Sequence, residues 1–179
     1  MVKQRFFSLL TLLLVVAITF VIFLYRDRIS ELENMGYLGA FLISLVSNAS
    51  IVLPVPGLLL LFALGAAFNP ILVGILGGAG GTIGELSGYM AGRSGRVVSR
   101  SDKWFSRAER WMSRWGTLTV FVFSLVPVLP VDVAGVAAGV VGFPIRKFLV
   151  ACFFGKTLLY IAMALFGAWG WEALLRYMG

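Results

Sequence analysis

The sequence contains no histidine, a single cysteine and few charged residues. Because histidine is absent, a Ser-His triad and a histidine-based metal site are excluded. The one cysteine, Cys152, lies in an apolar segment, so an internal disulfide is excluded and a small buried hydrophobic side chain is expected. Charged residues make up 13% of the chain, whereas soluble domains carry roughly 25%. These absences argue against a soluble enzyme, and we expect no catalytic residues, no metal and no cofactor.

Apolar residues dominate what is present. They make up 60% of the 179 residues, and the mean hydropathy is +0.96. We therefore expect an all-α integral membrane protein with one domain. The net charge of +7 comes from basic residues that cluster where apolar segments end, as cytoplasmic anchors do, so no nucleic-acid partner is expected.

Residues 117–142 (TLTVFVFSLVPVLPVDVAGVAAGVVG) form the most informative stretch. Pro127 and Pro130 prevent a continuous helix, and broken backbone survives in a bilayer only when protein or a wet cavity surrounds it. The pattern predicts a re-entrant hairpin with its tip near residues 127–135. The tip would carry Asp132 to mid-membrane depth, where an ionisable group marks a pathway or a coupling site.

A second broken stretch lies at residues 36–68, which is too long for one span. Pro54, Pro56 and Gly57 interrupt it, and Asn48 precedes the break. We interpret this stretch as another re-entrant hairpin.

A continuous helix is predicted from Pro70 to about Gly92, with Asn69 as its cap. Glycines recur at every fourth position of one face, which allows another helix to approach closely. They are Gly80, Gly84, Gly88 and Gly92.

The last long helix is predicted from Phe143-Pro144 to about Gly167. Lys156 lies roughly 15 Å along the axis from the basic end of this helix, and Glu85 lies roughly 12 Å before Arg93. We therefore expect Glu85 and Lys156 at a similar depth, as an ion pair or a triad with Asp132. Such a group serves either a pathway or the locking of helices. The predicted substrate or proton pathway comprises Glu85, Asp132, Lys156, Asn48 and Arg93.

Residues 93–115 have a different character. Cations and indoles recur at steps of three or four, which predicts an amphipathic helix with cations on one side and indoles on the other. Such a helix lies in the membrane interface and contacts lipid headgroups. The residues are Arg100, Lys103, Arg107, Arg110, Arg114, Trp104, Trp111 and Trp115.

The predicted order divides the chain into five segments. An N-terminal signal-anchor helix and loop occupy residues 1–35, with the basic start placing the N-terminus in the cytoplasm. The first hairpin and its spanning helix occupy residues 36–92, the interfacial helix 93–115, the second hairpin and its helix 116–168, and an interfacial tail 169–179.

The two hairpin regions also align with each other. An offset of 74 pairs Pro56 with Pro130, Gly65 with Gly139 and Pro70 with Pro144. One spanning helix separates the hairpins, so they should enter from opposite sides as an inverted repeat. Paired Pro-interrupted segments of this kind indicate a transporter with its site between the tips.

The chain resembles the DedA family, also called the VTT or SNARE-associated Golgi protein family. The matching pieces are LPVPG (53–57), NPILVGILGGAGGTIGELSGYMAGRSGR (69–96) and VPVLPVDVAGVAAGVVGFPIRKF (126–148). The resemblance implies two opposed re-entrant hairpins and movement of lipids between leaflets. This chain departs from many bacterial members at Ser124 and Pro130, where those members carry arginines.

We therefore expect a flippase or scramblase that moves phospholipid or polyprenyl-phosphate lipid. An ion-coupled transporter of a small soluble solute and a non-transporting assembly factor stay open as alternatives. The expected partners are membrane lipids, anionic phospholipid or polyprenyl phosphate, with a proton or cation as coupling ion and a homo-oligomer left open. The expected location is the inner or plasma membrane of a prokaryote.

Overall fold

The computed structural model describes residues 33–49, 57–95, 103–127, 129 and 131–178, and all regular elements among them are helices. The helices are α1 (Glu33–Ala49), α2 (Gly57–Ala67), α3 (Pro70–Gly84), α4 (Leu86–Arg93), α5 (Lys103–Leu125), α6 (Val131–Val140) and α7 (Ile145–Met178). The predicted N-terminal helix, the tip residues Pro54, Pro56 and Pro130, and Arg100 lie outside the described residues.

Two helical stretches within the described residues are long and apolar enough to cross a membrane. They are Pro70–Arg93, of 24 residues, and Ile145–Gly170, of 26 residues. The first begins as predicted, because the Asn69 side chain accepts hydrogen bonds from two backbone amides of the first turn and Pro70 follows it. A proline at this position loses nothing, since its missing N–H would have no partner inside the helix.

A turn at Glu85 divides the first span into α3 and α4. The backbone hydrogen bonds continue across it, because Glu85 N donates to Gly81 O at 3.0 Å and Tyr89 N donates to Glu85 O at 3.1 Å. The helix predicted from Pro70 to about Gly92 is therefore continuous in direction, with a local irregularity at Glu85.

The last helix is longer than predicted. Instead of ending near Gly167 before a separate tail, α7 continues to Met178. The glycine at 167 serves packing, since a Cβ there would overlap the carbonyl oxygen of Phe62 on α2. A glycine that admits a neighbouring backbone need not end its helix.

The interfacial helix and the first arm of the second hairpin form one element. Helix α5 bends at Gly116, whose φ of 31° and ψ of −94° are not helical. Glycine tolerates this positive φ because it has no Cβ. The bend coincides with the predicted boundary between the two segments.

The break in the second hairpin is shorter than expected. Helix α5 ends at Leu125, and α6 already begins at Val131. Asp132 therefore lies in the first turn of a helix, not in an extended tip that reaches to Gly135.

Each of the short helices α2 and α6 packs against the spanning helix of the other half of the chain, an arrangement called crossed packing below. Helix α2 packs against α7, and α6 packs against α4. In both contacts the helix backbones approach each other closely. A Cβ at Gly65 would overlap the Ala164 carbonyl, and one at Gly139 would overlap the Tyr89 carbonyl. Each half of the chain is thus fastened to the spanning helix of the other half.

Large apolar side chains remain exposed on the outer faces of the helices. Those on the two long helices include Ile71, Leu72, Ile83, Val150, Phe154 and Leu158, which are between 44% and 56% exposed. An apolar outer surface of this extent is unusual for a soluble monomer. It is the surface expected of helices in contact with lipid chains.

Candidate functional site

A buried ion pair joins the two spanning helices. Glu85 Oε1 lies 2.9 Å from Lys156 Nζ, and the two side chains are 0% and 3% exposed. The structure therefore contains the ion pair that was predicted between these residues. Because each charge is costly to bury alone, the pair depends on both partners being present.

Asn48 connects this pair to the first hairpin. Lys156 Nζ donates to Asn48 Oδ1 at 2.5 Å, and Asn48 Nδ2 donates to the Tyr160 hydroxyl at 3.0 Å and to the Ser44 carbonyl at 2.6 Å. The Asn48 side chain thus joins α1 to α7, and its amide N–H also donates to a backbone carbonyl of α1 itself. Hydrogen bonds that involve a charged group are the stronger kind.

Glu85 faces the second hairpin with its other oxygen. A Cβ at Gly135 on α6 would lie 3.4 Å from Glu85 Oε2, and this oxygen has no hydrogen-bond partner among the described residues. The contact of Oε1 with Lys156 is a close approach of opposite charges without hydrogen-bond alignment. The carboxylate is therefore held mainly by charge.

Asp132 lies at the edge of this cluster. It is half-buried in the first turn of α6, and it interacts electrostatically with both Glu85 and Lys156. When all three groups are ionised, one ammonium faces two carboxylates. The cluster then carries one net negative charge.

A cavity of about 300 Å³ opens next to the cluster. Its walls come from both hairpins and from α7. The polar lining comprises Ser47, Asn48, Ser124, Lys156 and Tyr160. Gly57 and Pro127, two of the predicted tip residues, also line it. Described residues at the two breaks therefore face one shared space.

Two hydroxyl groups in this cavity have no hydrogen-bond partner among the described residues. They are Ser47 Oγ on α1 and Ser124 Oγ on α5. Ser124 is 3% exposed and lies beside the thiol of Cys152, which is only a weak hydrogen-bonding group. Buried hydroxyls normally find a partner, so two unpaired ones on residues that line a cavity are donors that a polar group entering the cavity could satisfy.

Arg93 is not brought into this cluster. Its guanidinium donates to the Tyr89 hydroxyl at 3.5 Å, and the Tyr89 hydroxyl donates to the Phe143 carbonyl at 2.7 Å. These residues line a different cavity, of about 330 Å³, near the start of α7. Arg93 is the last residue of the first span and lies away from the predicted pathway residues Glu85 and Lys156.

The helix before Gly116 presents three kinds of surface. Ala108 and Met112 are buried, Arg107, Arg110 and Arg114 are exposed, and Trp111 and Trp115 are 45% and 58% exposed. The expected division into a cationic side and an indole side is therefore incomplete. At 100° per residue the indoles fall between the cations and the buried face. The side chains of Lys103 and Trp104 lie outside what the structure describes.

The sequence interpretation did not identify Tyr160 and Ser124 as site residues. Tyr160 follows Lys156 by four positions, so it shares the same helix face. That spacing could have identified Tyr160. The sequence marks Ser124 only as a position where many members of the resembled family carry an arginine, and its place in the cavity depends on how α5 meets α7.

A metal site finds no support in this part of the chain. No group of three or more cysteine, aspartate or glutamate side chains that could hold a metal ion occurs among the described residues. Lys156 would in addition repel a cation next to Glu85.

Residues 55–169 match the family model described as the VTT domain. The match covers more than half of the chain and contains the first span, all but the last residue of the second span, and the cavity-lining residues from Gly57 onward. No curated protein and no solved structure matches the chain significantly.

Proposed function

This chain belongs to the VTT-domain family, the domain of the DedA and SNARE-associated Golgi proteins, and we propose that it moves lipid headgroups across a membrane. The family and the apolar helices make it a membrane protein. Flippase or scramblase activity is the specific proposal.

The cavity between the two hairpin regions carries this proposal. It combines a polar wall of Ser47, Asn48, Lys156 and Tyr160 with apolar residues such as Leu58 and Leu159. A headgroup requires polar partners at this depth, whereas the attached chains require an apolar surface. The mixed lining supports a lipid, because its headgroup and its chains need these two kinds of surface side by side.

The hairpins would enter from opposite faces of the membrane as an inverted repeat. Helix α2 of the first hairpin packs against α7, and α6 of the second packs against α4. This crossed exchange is what two opposed copies of one unit would produce around a shared centre. The headgroup would then pass between the breaks while the lipid chains stay in the bilayer.

Charge at the centre would support the movement. Lys156 would contact a headgroup phosphate through its remaining N–H, and Asp132 and Glu85 would set the local charge or take up a proton. The exposed cations Arg110 and Arg114 would gather headgroups at the cytoplasmic surface. The location that fits this arrangement is the plasma membrane of a prokaryote, with a cytoplasmic N-terminus.

The test is lipid movement in vesicles that contain the purified chain and a trace of phosphatidylethanolamine labelled on its acyl chain. Chemical quenching of the outer leaflet reports how fast inner-leaflet label becomes accessible. We expect wild type to exceed empty vesicles clearly. The Val126→Trp variant should be slow, because Val126 lines the cavity and is 37% exposed, so an indole there narrows the opening at little cost to folding.

Leu158→Trp is the matched control. Leu158 is 50% exposed on α7 and does not line the cavity, so this variant should keep the wild-type rate. Wild-type rates no higher than those of empty vesicles would contradict lipid transport. Equal slowing by the two tryptophans would instead remove the cavity as the route.

A further inference from the structure

We propose that the cavity selects lipids with a phosphodiester headgroup and discriminates against phosphomonoesters. This inference rests on the proposed lipid movement and narrows its substrate class. It follows from two properties of the cavity. Residues of its wall carry hydrogen-bond donors, which favours phosphate oxygens, but its described surroundings carry no excess positive charge, which disfavours a second negative charge on the ligand.

The donors can be counted from the hydrogen bonds already made. Lys156 has three N–H groups, one of which donates to Asn48, and its ammonium lies 2.9 Å from Glu85. The Tyr160 oxygen accepts from Asn48, so its own O–H is free to donate. The hydroxyls of Ser47 and Ser124 have no partner in the described part of the chain.

The residues that carry these groups line one cavity and come from three helices, α1, α5 and α7. A ligand with several oxygen acceptors on one atom can use donors that converge in this way, and a phosphoryl group is such a ligand. Carboxylates are not among the described residues that line the cavity, so nothing in that lining competes for these donors by its own negative charge.

The charge around the cavity sets the limit on what phosphate it accepts. Lys156 is the only described lysine or arginine in the lining, and Glu85 already balances it at 2.9 Å. Asp132 adds a negative charge that interacts with both. A second negative charge on the ligand would therefore meet no cation of its own in a weakly polar site.

Phosphodiesters and phosphomonoesters differ in this respect. A monoester phosphate carries between about −1.5 and −2 charges at pH 7, with a second pKa of about 6. A diester lacks the second ionisation and carries a single charge while offering the same oxygen acceptors. Donors without excess positive charge suit the diester.

The experiment compares three lipids with the same labelled acyl chain in phosphatidylcholine vesicles at about pH 8, where a monoester's second ionisation is largely complete. They are phosphatidylcholine and phosphatidylglycerol, which are diesters, and phosphatidic acid, a monoester. We expect both diesters to cross at least about tenfold faster than the monoester, the effect of an extra charge at moderate distance from Asp132.

Two variants and a control separate the donor effect from the charge effect. Ser124→Ala should slow both diesters, since a donor is lost, whereas Ser113→Ala should change nothing because the Ser113 hydroxyl bonds the Arg110 carbonyl on an exposed face. Asp132→Asn should narrow the gap between diester and monoester. Equal rates for phosphatidylglycerol and phosphatidic acid in wild type would overturn the inference and leave transport intact. No movement of any of the three would remove transport itself.

Discussion

The two hairpin regions are built differently although their second arms make equivalent contacts. Helices α5 and α6 pack extensively along each other, whereas α1 and α2 touch at few points. The first region contributes Ser47 and Asn48 to the cavity, whereas the second contributes Ser124 and carries Asp132 in the first turn of α6. Crossed packing can therefore be shared while the polar chemistry differs, because both regions supply hydrogen-bonding groups and the second also supplies a negative charge.

The largest expected effect comes from breaking the ion pair between Glu85 and Lys156, which joins the spanning helices of the two halves of the chain. In Lys156→Met the fully buried Glu85 loses its counter-ion, which should cost about 3–5 kcal/mol of stability. Unfolding of the purified protein in detergent, followed by tryptophan fluorescence, measures this loss.

The double variant Lys156→Met with Glu85→Gln is the control for this prediction. Removing both charges should recover most of the lost stability, because a neutral pair leaves no uncompensated charge. If the double variant were as unstable as the single one, the charge on Glu85 would not be the cause.

The second prediction tests whether the crossed contacts are equivalent. Gly65→Ala and Gly139→Ala each place a methyl group against a carbonyl oxygen of the opposing helix, so each should cost about 1–3 kcal/mol. Gly39→Ala is the control, since no atom lies within 4 Å of its added Cβ, and it should be neutral or slightly stabilising. A loss at only one of the two crossings would show that the halves do not share this packing role.

The third prediction concerns the different polar contributions of the two regions. Asn48→Ala removes a partner of Lys156 and leaves the Tyr160 hydroxyl without its donor, which should cost about 1–3 kcal/mol. Asp132→Asn should change the stability little, because it removes both the repulsion from Glu85 and the attraction to Lys156. Denaturant unfolding measures the stability of both variants, and equal destabilisation would contradict the proposed difference between the polar contributions of the two regions.

Much of the fold could be predicted from local signals. Pro70 and Asn69 act within one turn, and a count along each helix placed Glu85 level with Lys156. These predictions held because helix rise and capping depend on a few neighbouring residues. The opposite entry of the hairpins stays a prediction, as do the roles of the site residues in transport.

The errors share a physical cause. The sequence predicts a helix end near Gly167, yet this glycine admits the Phe62 carbonyl from another helix. Trp111 was placed on the side opposite the cations, yet Ala108 and Met112 form the buried face. Ser124 entered the cavity only through the way α5 meets α7. Each of these outcomes depends on which helix lies opposite, and this information is not local in the chain.

The smallest expected effect concerns the hydrogen bond from Asn48 of the first hairpin to the Tyr160 hydroxyl of α7. Tyr160→Phe removes the hydroxyl that accepts from Asn48, while Asn48 Nδ2 keeps the Ser44 carbonyl as its acceptor. The donor therefore stays satisfied, and the loss of stability should be only about 0.5–1.5 kcal/mol. Tyr37→Phe is the matched control, because the Tyr37 ring keeps its contact with Phe68 at 5.7 Å between centroids. Detergent unfolding should place Tyr160→Phe between this control and Asn48→Ala; a loss as large as that of Asn48→Ala would mean that the tyrosine hydroxyl, and not the amide's bond to Lys156, joins the first hairpin to α7.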